Sequence, residues 1–152
     1  MRFNRSAPHA RVVPVLTVAD VRAAVAWYGR TFGFVEHVKI GTGHRAQLGL
    51  PGSQAAELIV AEVRPGRRLP TDETSHQILL KVEDATAALA QATASGATVL
   101  DELRDQPYGE RQVTLQDPFG HAWVLTQTLV DTAPEDWGGE TVRPREDADP
   151  RT

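Results

Sequence analysis

The side chains that could do chemistry in this chain are oxygen and imidazole groups, because its 152 residues include no cysteine. Disulfides, thiolate catalysis and zinc–thiolate sites are therefore excluded, and the composition suits a reducing compartment. A nucleophile or a metal ligand has to be Ser, Thr, Tyr, His, Asp or Glu. No serine lies in a Gly-x-Ser-x-Gly elbow, and Gly41-Thr42-Gly43 predicts a hairpin turn rather than a phosphate-binding loop.

The elements that must position these groups occur in two copies. Val15 to Ala26 is echoed by Leu79 to Ala90, about 64 positions later, with the same order of strand, aspartate and alanine-rich helix. The two copies indicate an internal repeat, in which each unit alone would leave a hydrophobic face uncovered.

The first unit is predicted to be βαβββ. Asp20 can cap a helix whose apolar residues keep helical spacing until Gly33 ends it. Glycine and proline then separate three short apolar stretches, as in an antiparallel meander. The predicted strands are 12–18, 34–40, 44–50 and 55–63, with a helix at 21–32. The aromatic residues of this helix have the spacing of a core group.

The second unit repeats this order, with Asp84 as the helix cap and Gly96 as its stop. Its predicted strands are 77–82, 98–103, 111–116 and 122–129, with a helix at 85–95. We expect an α+β fold with a single domain at 11–130, made of units 11–63 and 76–130 around a linker at 64–74. Residues 1–10 and 131–152 are predicted to be mostly flexible tails, the second with one ordered turn at 133–139.

The charge and hydropathy of the chain restrict its partners. A net charge of −4 disfavours nucleic acid as a partner. No apolar run approaches the roughly 20 residues that cross a bilayer, and the first residues lack the apolar core of a signal peptide. We therefore expect a cytoplasmic protein that does not associate with a membrane.

Three motifs carry a resemblance to a known family. They are Leu16-Thr17-Val18-Ala19-Asp20 running into Trp27-Tyr28-Gly29-Arg30-Thr31-Phe32-Gly33-Phe34, then Pro107-Tyr108-Gly109-Glu110-Arg111, and then Asp117-Pro118-Phe119-Gly120-His121-Ala122-Trp123. In this order they resemble the vicinal oxygen chelate superfamily of glyoxalases, bleomycin-resistance proteins and extradiol dioxygenases. The third motif looks most like the branch with PhnB-like and antibiotic-binding members. The resemblance implies a curved mixed sheet around a concave cleft, in a domain-swapped or side-by-side homodimer.

The resemblance also locates the positions at which metal-dependent members carry four His or Glu ligands. Matched motif to motif, these positions fall on Val13, Glu57, Gln77 and Val124. One carboxylate and one amide do not make a divalent metal site, so we predict no metal and no cofactor. His76 could replace Gln77 only through a register slip or a bulge. His121 belongs to the turn motif, where we expect a structural hydrogen bond.

The predicted ligand pocket follows from strand alternation around those positions, which adds Val15, Leu79, Ala122 and Thr126 to the same face. Glu57 either faces the cavity, as a candidate base, or turns to solvent. Arg111 could line the rim or only pair with Glu110 or Glu102. The predicted ligand-binding residues are Val13, Val15, Glu57, Gln77, Leu79, Tyr108, Arg111, Val124 and Trp137.

Two functions fit this mostly apolar pocket. The first is a homodimeric, metal-independent binding protein that sequesters a hydrophobic or aromatic ligand, such as an antibiotic or secondary metabolite. The second is an enzyme, either a glyoxalase-like lyase or isomerase using Glu57 as base or a dioxygenase-like enzyme with displaced metal ligands such as His76 or His44. A dimeric scaffold with a vestigial pocket is a third interpretation, because fold alone does not decide function.

Overall fold

The computed structural model describes residues 4–52 and 56–142 of the chain. The first unit contains β1 (Val15–Thr17), α1 (Val21–Phe32), β2 (Val35–Ile40), β3 (Arg45–Gly49) and β4 (Glu57–Ala61). The second contains β5 (Ile78–Lys81), α2 (Ala85–Ala94), β6 (Thr98–Asp105), β7 (Glu110–Gln116) and β8 (Ala122–Thr128). A short 3-10 helix, Pro134–Trp137, lies within the predicted turn at 133–139.

The strands form two four-stranded mixed sheets, in the orders β1-β4-β3-β2 and β5-β8-β7-β6. In each sheet the first strand runs parallel to the last, and the other pairs are antiparallel. The predicted α+β class and the two βαβββ units are confirmed. Of the predicted segments, the strand start at 55 and the tail from 143 lie outside the described residues, as do residues 1–3.

Both helices begin at the predicted aspartates. Asp20 accepts a hydrogen bond from the backbone N–H of Ala23, and Asp84 accepts one from Ala87, each at 3.0 Å. Such a cap stabilises a helix by about 1 kcal/mol. Gly33 ends α1 in the left-handed region with a φ of 79°, where glycine has no side chain to strain. No helix in the described ranges is long and apolar enough to span a bilayer.

The two units share one core rather than burying two separate ones. Trp27 and Tyr28 of α1 are buried against Trp123 of β8, within a cluster drawn from both sheets and both helices. The indole N–H of Trp27 also donates to the carbonyl of Ser95 at the end of α2, at 2.7 Å. The prediction that the aromatic residues of α1 form core is confirmed.

The Asp117 turn joins the units through hydrogen bonds. One carboxylate oxygen accepts from the backbone N–H groups of Phe119 and His121, and the other accepts from the Tyr28 hydroxyl at 2.5 Å and the Trp123 indole at 2.9 Å. Burial, together with the nearby Asp117 carboxylate, raises the pKa of Tyr28, so its hydroxyl stays a donor. His121 Nε2 lies 2.8 Å from the carbonyl oxygen of Thr17, which confirms the predicted structural hydrogen bond.

Candidate functional site

Each sheet has an inner face toward the shared core and an outer face on the opposite side. In the first sheet the register places Val15 and Gln47 on either side of Ile59, and in the second it places Leu79 beside Val124. Because side chains alternate along a strand, these residues lie on the outer faces. In the described parts of the chain, no strand of the first sheet is hydrogen-bonded to a strand of the second. The predicted site residues are therefore divided between two separate outer faces.

The outer face of the first sheet carries a cavity of about 580 Å³. Glu57, Gln47 and His37 line it from the sheet, and residues 5–9 line it from the other side. Two hydrogen bonds hold this N-terminal segment: the Gln47 amide donates to the carbonyl of Ser6 at 3.1 Å, and Ala10 N–H donates to Glu57 at 2.5 Å. Of the predicted residues, only Glu57 lines this cavity.

The outer face of the second sheet presents an aromatic pair next to polar groups. The rings of Tyr108 and Trp137 lie 5.1 Å apart between centroids, tilted by 55°. The Tyr108 hydroxyl donates to Gln112 at 2.6 Å, and the Gln112 amide donates to Thr126 at 3.2 Å. Leu79, which is 57% exposed, and half-buried Val124 are neighbours on this face. This surface combines a stacking group, an aliphatic patch and an oriented amide.

Glu110 completes the polar chain on this face. Its carboxylate accepts hydrogen bonds from Thr126 at 2.6 Å and Thr128 at 2.7 Å. Burial acts to raise the pKa of Glu110, but these two hydrogen bonds and the charge of Lys81 outweigh it, so the pKa lies below its ordinary value. Glu110 is therefore an anion on the outer face of the second sheet near neutral pH.

Gly109 positions the aromatic pair. Its φ is 82°, and a Cβ built on it would lie 2.2 Å from the carbonyl oxygen of Val130. The Gly109 carbonyl accepts hydrogen bonds from the N–H groups of Leu129 and Val130, so the segment after β8 crosses directly over the β6–β7 turn. The segment then reaches Trp137 beside Tyr108. The sequence motif predicted the loop at Gly109. The close approach of the Val130 backbone to this loop depends on contacts between distant residues, which no local pattern indicates.

Arg111 lies apart from the other predicted rim residues. It alternates with Val113 and Leu115, which are buried in the core, and the Asp84 carboxylate at the start of α2 acts on its charge. Arg111 forms a two-bond ion pair with Asp105, at 2.6 and 3.1 Å. The partner is thus Asp105 and not Glu110 or Glu102, because the β6–β7 register sets Asp105 directly opposite Arg111.

The remaining predicted residues border the two faces. Val13 is half-buried just before β1, and Val15 of β1 is 45% exposed. Gln77 is exposed just before β5. The pattern missed Gln47, Gln112 and the N-terminal segment. The polar groups of the second outer face could have been predicted from two polar residues at alternate positions of β7, Glu110 and Gln112.

Comparison with known proteins decides the family. The model of the Glyoxalase/Bleomycin resistance protein/Dioxygenase superfamily matches residues 8–125. The chain belongs to this superfamily. "Uncharacterized protein Mb0911c" of Mycobacterium bovis is 34% identical over 124 residues, covering 76% of this chain and 82% of that protein. "Uncharacterized protein Rv0887c" of Mycobacterium tuberculosis has the same identity and covers 76% and 73%.

Solved structures similar to the chain include TioX and TnmS3. TioX from Micromonospora sp. ML1 is 28% identical, with a TM-score of 0.60 over 82% of this chain and 100% of that one. TnmS3, an antibiotic binding protein from Streptomyces sp. CB03234, is 26% identical, with a TM-score of 0.56 over 77% and 95%.

The residues that the sequence resemblance matches to the superfamily's metal positions do not fit a metal ion. Val13 and Val124 have no donor atom, and Glu57 is hydrogen-bonded to Ala10. His76 is exposed, and His44 bonds Glu62 at 2.6 Å. Among the residues that the structure describes, no three His, Asp or Glu side chains lie close enough together to hold a metal.

Proposed function

We propose that the protein is a metal-independent binding protein that sequesters a hydrophobic or aromatic small molecule, such as an antibiotic or secondary metabolite. The observation that carries this proposal is the outer face of the second sheet, where Trp137 is 44% exposed beside Tyr108 and Leu79 is 57% exposed. Aromatic rings stack on flat ligands, and exposed aliphatic groups gain free energy when a ligand covers them. The likeness to TnmS3 supports the same class of ligand.

The polar groups on this face give the ligand an orientation. The amide of Gln112 is held between the Tyr108 hydroxyl and Thr126, so its direction is set before binding. A binding site for a mostly apolar ligand needs only a few such placed groups. Glu110 adds one negative charge, which favours a ligand bearing a hydrogen-bond donor at that end.

A homodimer is part of the proposal, because one chain leaves the site in two parts. The predicted residues Val15 and Glu57 lie on the first sheet, whereas Leu79 and Val124 lie on the second. We propose that the outer face of the first sheet in one chain meets the outer face of the second sheet in its partner, enclosing the ligand between them. A cytoplasmic location is also proposed, since the absence of cysteine suits it.

A binding screen with matched variants tests this function. Polycyclic and peptide antibiotics are screened by thermal shift, since a ligand that binds only the native state adds about 2.7 kcal/mol at 100-fold over Kd. We expect Trp137→Ala to weaken binding at least about tenfold, or about 1.4 kcal/mol. Val63→Ala, at a residue that is 50% exposed after β4, is the control and should bind normally. Equal binding by both variants would contradict the proposed site.

The second candidate function is a lyase or isomerase that uses Glu57 as a base. The observation that favours it is the cavity of about 580 Å³, which Glu57 shares with His37. A carboxylate and an imidazole that line one cavity can move a proton between two atoms of a substrate. Turnover of a small substrate that Glu57→Gln abolishes, while Trp137→Ala leaves it intact, would favour this enzyme over the binding protein.

A further inference from the structure

Four arginines lie together where the first sheet ends. Arg45 begins β3, and Arg64, Arg67 and Arg68 follow β4 in the connection to the second unit. Between Arg64 and Arg67, the Pro65-Gly66 turn is closed by two backbone hydrogen bonds of 3.1 and 2.8 Å. Gly66 has a φ of 82°, as the third residue of such a turn requires. The turn therefore holds two guanidinium groups on one short, rigid segment.

We call these four residues the arginine cluster: Arg45, Arg64, Arg67 and Arg68. Several of its N–H donors have no acceptor. The Nε and Nη2 atoms of Arg67 and the Nε of Arg45 are buried without a hydrogen-bond partner. The Nε of Arg22 also lacks a partner, but both terminal nitrogens of Arg22 donate to Glu36. A buried N–H without an acceptor is costly, because it has lost its hydrogen bonds to water. These three N–H groups have no acceptor among the described residues, and Arg64 and Arg68 add exposed guanidinium groups beside them.

The charges around the arginine cluster also favour a bound anion. The chain has a net charge of −4, yet the ion pairs among the described residues include none of the four arginines. Glu62, the carboxylate that acts on Arg67, is hydrogen-bonded to His44 at 2.6 Å. Burial, followed by the charges of Arg64 and Arg45, lowers the pKa of Arg67. An anion here would relieve the repulsion among the guanidinium groups.

We infer that the arginine cluster binds a tetrahedral oxyanion, such as the phosphate group of a small phosphorylated molecule. Guanidinium groups present planar forks of N–H donors that match phosphate oxygens in pairs. The cavity among Arg64, Gly66, Arg67 and Arg68 measures about 280 Å³, which suits one or two phosphate groups. The acidic chain argues against a nucleic acid backbone as the occupant. The cavity shares no lining residue with the cavity at Glu57, although Arg45 lies on the same outer face of the first sheet as Gln47.

Nuclear magnetic resonance of the arginine Nε–H groups tests the site directly. Sodium phosphate is titrated into the full-length protein while sodium chloride holds the ionic strength constant. We expect saturable shifts of the Arg45 and Arg67 signals, assigned with the Arg45→Lys and Arg67→Lys variants. Sulfate, which has the same tetrahedral shape, should compete with phosphate.

Matched variants then test the role of the cluster. Arg67→Ala should weaken phosphate binding at least about tenfold, and Arg67→Lys should recover only part of it, since a lysine keeps the charge but loses the paired donors. Arg30→Ala removes an exposed charge from the last turn of α1 and should leave binding unchanged. The inference would be overturned if the arginine signals shift with ionic strength whichever anion is added. It would also be overturned if Arg30→Ala weakens phosphate binding as much as Arg67→Ala. Binding of an RNA oligonucleotide without saturable phosphate binding would overturn it too.

Discussion

At the residue scale, the Asp117 carboxylate is the group that links the two units most directly. It accepts from a hydroxyl of the first unit and from an indole and two backbone N–H groups of the second. The Asp-Pro-x-Gly pattern predicted the turn, and the hydrogen bond of His121 was predicted with it. The pairing with Tyr28, 89 positions away, could not be predicted, because it depends on how the two units pack.

Tyr28→Phe tests that link. The change removes the Tyr28 hydroxyl donor from a buried carboxylate oxygen, so we expect a loss of about 1–3 kcal/mol in the free energy of unfolding. Urea denaturation measures it. Tyr108→Phe is the matched control, because that hydroxyl bonds a half-buried amide and its loss should cost less. Equal losses of unfolding free energy in the two variants would show that the buried Tyr28–Asp117 hydrogen bond stabilises the fold no more than the half-buried one.

Glu110 predicts a pH dependence of stability. Its pKa in the folded protein is lowered, so the unfolded chain, with a glutamate pKa of about 4.3, takes up its proton first as the pH falls. The stabilisation is complete above that pH and is lost as the pH drops toward the lower folded pKa. Glu110→Gln should therefore flatten the fall in melting temperature between pH 5 and pH 3, roughly this window. If the melting temperature of Glu110→Gln falls with pH as steeply as that of Glu102→Gln, the stabilising role of the Glu110 carboxylate is contradicted.

At the element scale, most of the fold was predictable because its signals are local. The capping aspartates, the Gly33 stop and the aromatic spacing of α1 lie within a few residues of what they determine. The flexibility predicted for the N-terminal segment at 1–10 stays a prediction, and the contacts of this segment with the first sheet were not predicted. Its hydrogen bonds join residues 41 and 47 positions apart, beyond the reach of any local pattern.

Gly109→Ala tests the crossing of elements that places Trp137. A Cβ at Gly109 would meet the Val130 carbonyl, so the segment after β8 has to move away from Tyr108. Gly33→Ala is the control, because Gly33 also has a positive φ of 79° but nothing lies within 4 Å of its added Cβ. We expect both variants to lose about 1–2 kcal/mol from the left-handed backbone. Only Gly109→Ala should also change the Trp137 fluorescence and weaken ligand binding.

At the scale of the whole molecule, the separation of the two outer faces predicts how subunits cooperate. Val15→Arg should disable the first sheet's face, and Leu79→Arg the second's, because both side chains are exposed. If each pocket combines faces from two chains, mixing the two inactive variants restores one intact pocket in each heterodimer. About a quarter of all sites should then bind ligand after subunits exchange. No recovery in exchanged heterodimers, confirmed by mass, would contradict a shared pocket.

The central claim is that the protein holds its ligand without changing it. The most direct measurement incubates the protein with an antibiotic that raises its melting temperature, denatures the complex, and quantifies the released ligand by mass spectrometry, with and without a chelator. We expect stoichiometric recovery of the intact ligand, and binding that the chelator does not affect. A converted ligand, or binding lost on chelation, would contradict it and favour an enzyme.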